Sequence, residues 1–234
     1  MNVLAIGAHP DDIELYCAGT LARYAAAGHK VAMAVICDGA TGVRGLPLDE
    51  AARLRELESL RSASLIGAES YHLRYPDHQI PADDVPLLRI TDLIRRADPS
   101  VIITHDPSDC FIDHQYTTRL VEEAVCLAVQ PNVQTESPPA SVHPVLFYMD
   151  TVTGLAFQPS DFVDVTPVFD VKRRMLECHQ SQIQPILDDS DEPIIMELME
   201  ISARFRGIQC AVRYAEAFRQ QLKYDRSMTW RLLP

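Results

Sequence analysis

Apolar and polar positions along this chain fall into blocks whose lengths read as strand, helix, strand, helix. Val3 to Gly7 is a short unbroken apolar run, the pattern of a strand buried on both faces of a parallel sheet. From Leu15 to Ala27, Leu15, Gly19, Leu21, Ala22 and Ala25 recur at helical spacing, and the block stops at Gly28, a residue suited to follow a helix end. Val31 to Cys37 is a second apolar run, opening into the flexible stretch Asp38 to Gly42. Leu48 to Ile66 sets Leu54, Leu57, Leu60 and Leu65 on one helical face, with charges elsewhere. Tyr71 to Tyr75 predicts a third strand, closed by Pro76, Asp77 and His78. Asp83 is placed to cap a helix carrying Leu87, Leu88, Ile90, Leu93 and Ile94, which Asp98-Pro99 ends. Val101 to Thr104 predicts a fourth strand. A polar stretch from His105 to His114 follows it, then a helix over about Gln115 to Val129.

Gln130 to Pro144 turns to Pro, Ser, Thr, Gln and Asn and reads as a surface loop, a lid or an oligomer contact. Val145 to Met149 resumes the sheet and ends at Asp150 to Gly154. Phe162 to Val165 is a brief strand, and Thr166-Pro167 opens a helix through Leu176 to His179-Gln180-Ser181-Gln182. A helix over roughly 192–210 and a tail rich in Arg and aromatics complete the chain. Four strand-then-helix repeats predict an α/β fold, a Rossmann-like doubly wound and mostly parallel sheet flanked by helices. A length of 234 residues suits one such domain over 1–234.

Composition narrows the partners. The formal charge of −12 works against nucleic acid and anionic membranes, which need clustered Lys and Arg. No apolar stretch approaches the roughly 18 residues that would span a bilayer, and the start runs straight into a strand, so a cytoplasmic protein without membrane insertion is expected. Six cysteines without a C-x-x-C pair read as reduced thiols. Small molecules, or further copies of the chain in a homo-oligomer, are the expected partners.

Candidate chemistry gathers after the first and fourth strands. His9-Pro10-Asp11-Asp12-Ile13-Glu14 puts an imidazole and two adjacent carboxylates at a strand-to-helix turn, the edge where open α/β sheets bind ligands. Asp11 followed three residues later by Glu14 is also a capping-box-like pattern, and it explains one aspartate and the glutamate only. The second loop carries His105, Asp106, Asp109, Asp113 and His114. A catalytic zinc takes three ligands from His and carboxylate and keeps a position for water; His9, Asp12 and His114 would supply such a set from two loops. A dinucleotide site is excluded, because the first turn reads Gly7-Ala8-His9-Pro10 in place of G-x-G-x-x-G.

These blocks resemble the PIG-L/LmbE-like N-deacetylases. The resemblance rests on Ala8-His9-Pro10-Asp11-Asp12-Ile13-Glu14 with Gly19-Thr20, on Thr104-His105-Asp106-Pro107 leading to Asp113-His114, and on weaker matches. Those are Arg55, Glu58, Gly67, Asp77, Asp164 to Thr166, His179 to Gln182, Arg206-Gly207 and Ala215 to Phe218. It implies that His9, Asp12 and His114 bind Zn2+ or another divalent metal, and that Asp11 is the general base, taking and returning a proton. It implies an Arg55 that faces substrate, and Asp77, Asp150 and His105 are added as substrate-side candidates. Asp113 is expected to orient a ring nitrogen, most simply that of His114.

One position departs from the family pattern. Where many relatives carry a histidine three residues before the second metal histidine, this chain has Phe111. Phenylalanine can neither polarise a carbonyl nor stabilise the oxyanion, which leaves zinc and Asp11 with more of the work and His105 or His78 as sources of a donor. His179 reads as a residue bonding the last carbonyls of its helix, and His29, His72 and His143 as structural or exposed. The expected activity is removal of an N-acetyl group from a GlcNAc-like sugar or conjugate. The alternatives are an amidase acting on a thiol-sugar conjugate, or a metal- or sugar-binding protein without turnover.

Overall fold

The computed structural model describes residues 1–152, 154–183 and 194–222. Its centre is a seven-stranded sheet with spatial order β3-β2-β1-β4-β5-β7-β6. The strands are β1 (Asn2–Gly7), β2 (Lys30–Cys37), β3 (Glu69–Tyr75), β4 (Val101–Thr104), β5 (Val145–Met149), β6 (Asp161–Asp164) and β7 (Ala215–Gln220). β3, β2, β1, β4 and β5 pair in parallel, whereas β7 runs antiparallel to both β5 and β6. Helices α1 (Asp12–Tyr16), α2 (Ala18–Ala26), α3 (Leu48–Ser64), α4 (Asp84–Ala97), α5 (Ile112–Ala128), α6 (Phe169–Glu177), α7 (Gln180–Ile183) and α8 (Ile194–Gln209) surround it.

The unbroken apolar strands follow from burial on both faces. In β1, Val3 and Ala5 join the core packed by α1, α2, α6 and α8, while Leu4 and Ile6 join the opposite core packed by α4 and α5. The order places β1 beside β4 at the point where the winding reverses, and the turns that leave those two strands open into one crevice.

Three elements differ from the sequence-based expectation. The first helix is two, broken at Cys17, whose φ of −143° is not helical. A buried pair from far along the chain completes the break. Lys172 Nζ donates to the carbonyls of Glu14 (2.9 Å) and Leu15 (2.8 Å) at the end of α1, and Glu216 accepts from the amides of Gly19 (2.9 Å) and Thr20 (2.7 Å) at the start of α2. Charges thus stand in for bonds that a continuous helix would have made internally. Next, α5 begins at Ile112 rather than Gln115, because Asp109 Oδ1 accepts from the Phe111 amide at 3.0 Å, so Asp113 and His114 lie in its first turn. Finally, Ala215–Gln220 is an inner strand that alternation had not marked. Part of the tail beyond it (223–234), the onset expected for the last helix at 192–193, and Thr153 lie outside the described residues.

The Pro-rich loop 130–144 is clasped to α4. Arg95 donates to the carbonyls of Ala128 (3.0 Å), Gln130 (2.6 Å) and Val133 (3.0 Å), and Asp92 Oδ1 accepts from the Ser137 amide at 2.7 Å. It follows the C-terminus of α5, a 17-residue helix whose other end carries His114. At about 1.5 Å per residue that separates the loop from His114 by roughly 25 Å, so it is not a lid. No helix among the described residues is long and apolar enough to cross a membrane.

Candidate active site

The turn after β1 is built from its own carboxylate. Asp12 Oδ2 accepts from the His9 amide at 2.6 Å, which tucks Asp12 into the crevice. Asp11 is left in a left-handed conformation (φ 111°), costly for a residue with a Cβ, and its side chain caps nothing. The capping-box reading therefore fails at both ends. Glu14 is buried, accepts from Ser62 Oγ at 2.5 Å and lies 3.2 Å from His179 Nε2.

Asp12 sits among three imidazoles. His114 Nε2 is 3.3 Å from its Oδ1, His105 Nε2 3.2 Å from its Oδ2, and His9 Nδ1 3.6 Å from its Oδ2. Ligand atoms of His9, Asp12 and His114 all lie within 4.8 Å of one another. Two other groupings share these histidines, His9 with Cys37 and Asp77, and His114 with His105 and Asp109. In those groupings both Asp77 oxygens accept from Gly39 and Thr41, and His105 Nε2 accepts from the Ala8 amide at 2.9 Å.

The far nitrogens of the two outer rings face carboxylates. His9 Nε2 is hydrogen-bonded to Asp113 Oδ2 at 3.1 Å, and His114 Nδ1 lies 3.2 Å from Asp109 Oδ1. This corrects the expectation for Asp113, which orients His9 and not His114. Asp109 is the carboxylate beside His114. Its only mark in the sequence is an acidic residue just ahead of a helix start. Each ring thus turns one nitrogen to a carboxylate and the other to Asp12, the arrangement that sets a ligating tautomer.

The electrostatics fit a dication. Burial lowers the His9 and His114 pKa, yet Asp113 and Asp12 for the first, and Asp12 and Asp109 for the second, outweigh it and lift them to about 10 and about 9. Against its own burial, Asp12 is held well below the usual carboxylate range by His114 and His105. A dication would replace the protons on those two rings. His105 goes the other way: burial and the His114 charge, against Asp12, push it down to about 4, and it is stacked on His114 at 3.8 Å between ring centres. A wholly buried neutral ring is a platform for His114 and cannot reach substrate as expected.

The remaining candidates divide. Arg55 is buried, with Nη2 3.1 Å from Asp11 Oδ2 and a further bond to the Pro10 carbonyl, so its charge is directed at Asp11. Burial raises the Asp11 pKa and Asp12 adds to the rise, with Arg55, His179 and His9 opposing. Asp77 pins the turn Asp38 to Gly42, with Oδ1 accepting from the Gly39 amide and Oδ2 from the Thr41 amide and hydroxyl. Asp150 is clamped by Arg206 at 2.6 and 2.9 Å. His179 is sealed beneath Asp11 and Glu14, not at the last carbonyls of its helix. Burial lowers its pKa, but Glu14 and Asp11 raise it overall. Phe111 is 46% exposed, with its ring 5.2 Å from that of His114.

A doubly wound sheet of this order, with a histidine-carboxylate cluster at its winding reversal, is an LmbE-like fold. The chain belongs to the PIG-L family, whose description is GlcNAc-PI de-N-acetylase and which matches residues 4–125. It is 29% identical over 229 residues to the diacetylchitobiose deacetylase of Thermococcus kodakarensis, covering 93% of this chain and 82% of that protein. It is 26% identical over 197 residues to the 4-oxalmesaconate hydratase of Pseudomonas putida, covering 77% and 74%. The structure of N,N'-diacetylchitobiose deacetylase from Pyrococcus horikoshii superposes with a TM-score of 0.80 at 27% identity, covering 94% of this chain and 83% of that one.

Proposed function

We propose that the 234 residues form a single catalytic domain that removes an N-acetyl group from a GlcNAc-like sugar or conjugate, in a zinc-dependent hydrolysis that yields acetate and a free amine. The observation that carries this is the unequal fate of two adjacent carboxylates: Asp12 is enclosed by three imidazoles, while Asp11 is turned away from them by a strained backbone and held by Arg55. His9, Asp12 and His114 would hold the metal. Zinc bound there would bring the pKa of a water towards neutrality and polarise the amide carbonyl. Asp11 takes the proton that water loses as it attacks, and its burial, which raises its pKa, makes it a stronger base than an exposed aspartate. Arg55 keeps Asp11 aimed, and Phe111 lies beside His114. The deacetylase relatives support the same chemistry.

The test is acetate release from a panel of N-acetylated sugars by the zinc-loaded chain, with a chelator abolishing it and zinc restoring it. Hydration of 4-oxalmesaconate without acetate release would overturn the reading, and release confined to thiol-sugar conjugates would narrow it to an amidase. Retained zinc with no turnover on any amide would leave a binding protein. A further expected outcome concerns Asp109. Asp109→Asn should weaken zinc binding roughly 10- to 100-fold, measured by competition with a chromophoric chelator, because His114 loses its carboxylate partner. An unchanged affinity would remove Asp109 from the site.

A further inference from the structure

Amide hydrolysis moves two protons: water loses one as it attacks, and the departing nitrogen must gain one. Asp11 is placed for the first. For the second, most imidazoles of the site are committed. His9 and His114 each turn one nitrogen to Asp12 and the other to a carboxylate, His105 is buried behind His114, and His179 is sealed under Asp11. Phe111 offers no proton.

His78 is the exception, with a side chain 60% exposed. It sits in the turn after β3 at φ 61°, a left-handed conformation that costs a histidine energy. Asp113 holds it there, accepting from the His78 amide at 3.0 Å and lying 3.3 Å from its Nδ1. The same oxygen, Asp113 Oδ2, is 3.1 Å from His9 Nε2. A single carboxylate oxygen therefore sets an exposed imidazole one link away from a metal-ligating one. No other group bonds the His78 ring among the described residues, and with Nδ1 turned to Asp113 the Nε2 edge is the one left for an incoming molecule.

We propose that His78 is the general acid that protonates the leaving amine, a role that rests on the deacetylase reading above. As the C–N bond breaks, its electron pair stays on nitrogen, which takes the Nε2 proton of His78. The carbonyl carbon keeps the oxygen delivered by water and leaves as acetic acid, whose remaining proton passes to solvent to give acetate. Asp11 releases the proton it took to solvent, and His78 regains one from solvent, so both groups return to their starting states. Asp113 is the positioning residue, holding His78 and His9 at a fixed separation.

The test uses the zinc-loaded full chain with N,N'-diacetylchitobiose as probe. His78→Asn is the informative variant, because asparagine tolerates the left-handed backbone and keeps the amide bonded to Asp113. We expect kcat to fall roughly 10²- to 10³-fold, with KM within about threefold and zinc content unchanged. The His78→Ala variant should regain rate with added imidazole, more so as more of the imidazole is protonated, while the parent does not respond. A kcat within about threefold of the parent, a loss confined to KM or to zinc content, or a deficit that imidazole leaves untouched overturns the role. If the parent itself releases no acetate from N-acetylated sugars, the deacetylase reading falls and the role with it. If the parent is active and the Asn variant matches it, only the role of His78 falls.

Discussion

Asp11→Asn is expected to keep its zinc and lose acetate release by roughly 10²- to 10⁴-fold, the range for removing a general base. The substitution preserves size and side-chain hydrogen bonding, and asparagine accepts the positive φ of this position better than most residues. It leaves His9, Asp12 and His114 in place, so metal content measured on the purified variant should match the parent. What it removes is the ability to accept a proton. The Arg55 guanidinium, 3.1 Å from the lost charge, keeps its bond to the Pro10 carbonyl but loses its counter-charge, so some loss of stability should accompany the loss of rate. A variant with full zinc and a rate within tenfold of the parent would show that the proton leaves by another route.

Lys172→Met is expected to destabilise the fold by about 3–5 kcal/mol, because it strands Glu216 as a buried, unpaired charge. Lys172 and Glu216 are 1% and 2% exposed at their side chains and 2.6 Å apart. The lysine also answers two carbonyls at the end of α1, and the glutamate two amides at the start of α2. Thermal melting should shift down by roughly 6–20 °C for a chain of this size. The double variant Lys172→Met with Glu216→Gln should recover part of that loss, since no charge is then left without a partner. A melting temperature within about 2 °C of the parent for the single variant would show that the pair contributes little. The expected effect reaches the site as well, because the break at Cys17 that this pair completes directly follows α1, which opens on Asp12.

Much of the fold was legible because burial on both sheet faces leaves a signature in consecutive residues. β1, β2, β4 and β5 each read as an unbroken apolar run, and the pattern does not depend on what packs against them. β7 was not legible: Ala-Glu-Ala-Phe-Arg-Gln has a glutamate at its second position, and Glu216 points inward only because Lys172 and the start of α2 await it there. The split between α1 and α2 was hidden for the same reason. Helical spacing continues through Cys17, and the groups that satisfy the broken turn come from residues more than 150 positions away.

The sequence by itself determined the kinds of group available and the strand ends that carry them: His9, Asp11 and Asp12 after one apolar run, and His105 to His114 after another. Only the tertiary structure decided who faces whom. It assigned Asp113 to His9 and His78, Asp109 to His114, Arg55 to Asp11, and His105 to a buried stack, and it used Asp77 and Asp150 to hold the chain. The reason is physical. A strand or a helix start is dictated by neighbours along the chain, whereas the partner of a buried charge is whichever opposite charge or dipole the packing brings within about 4 Å, and that distance is not written in sequence order.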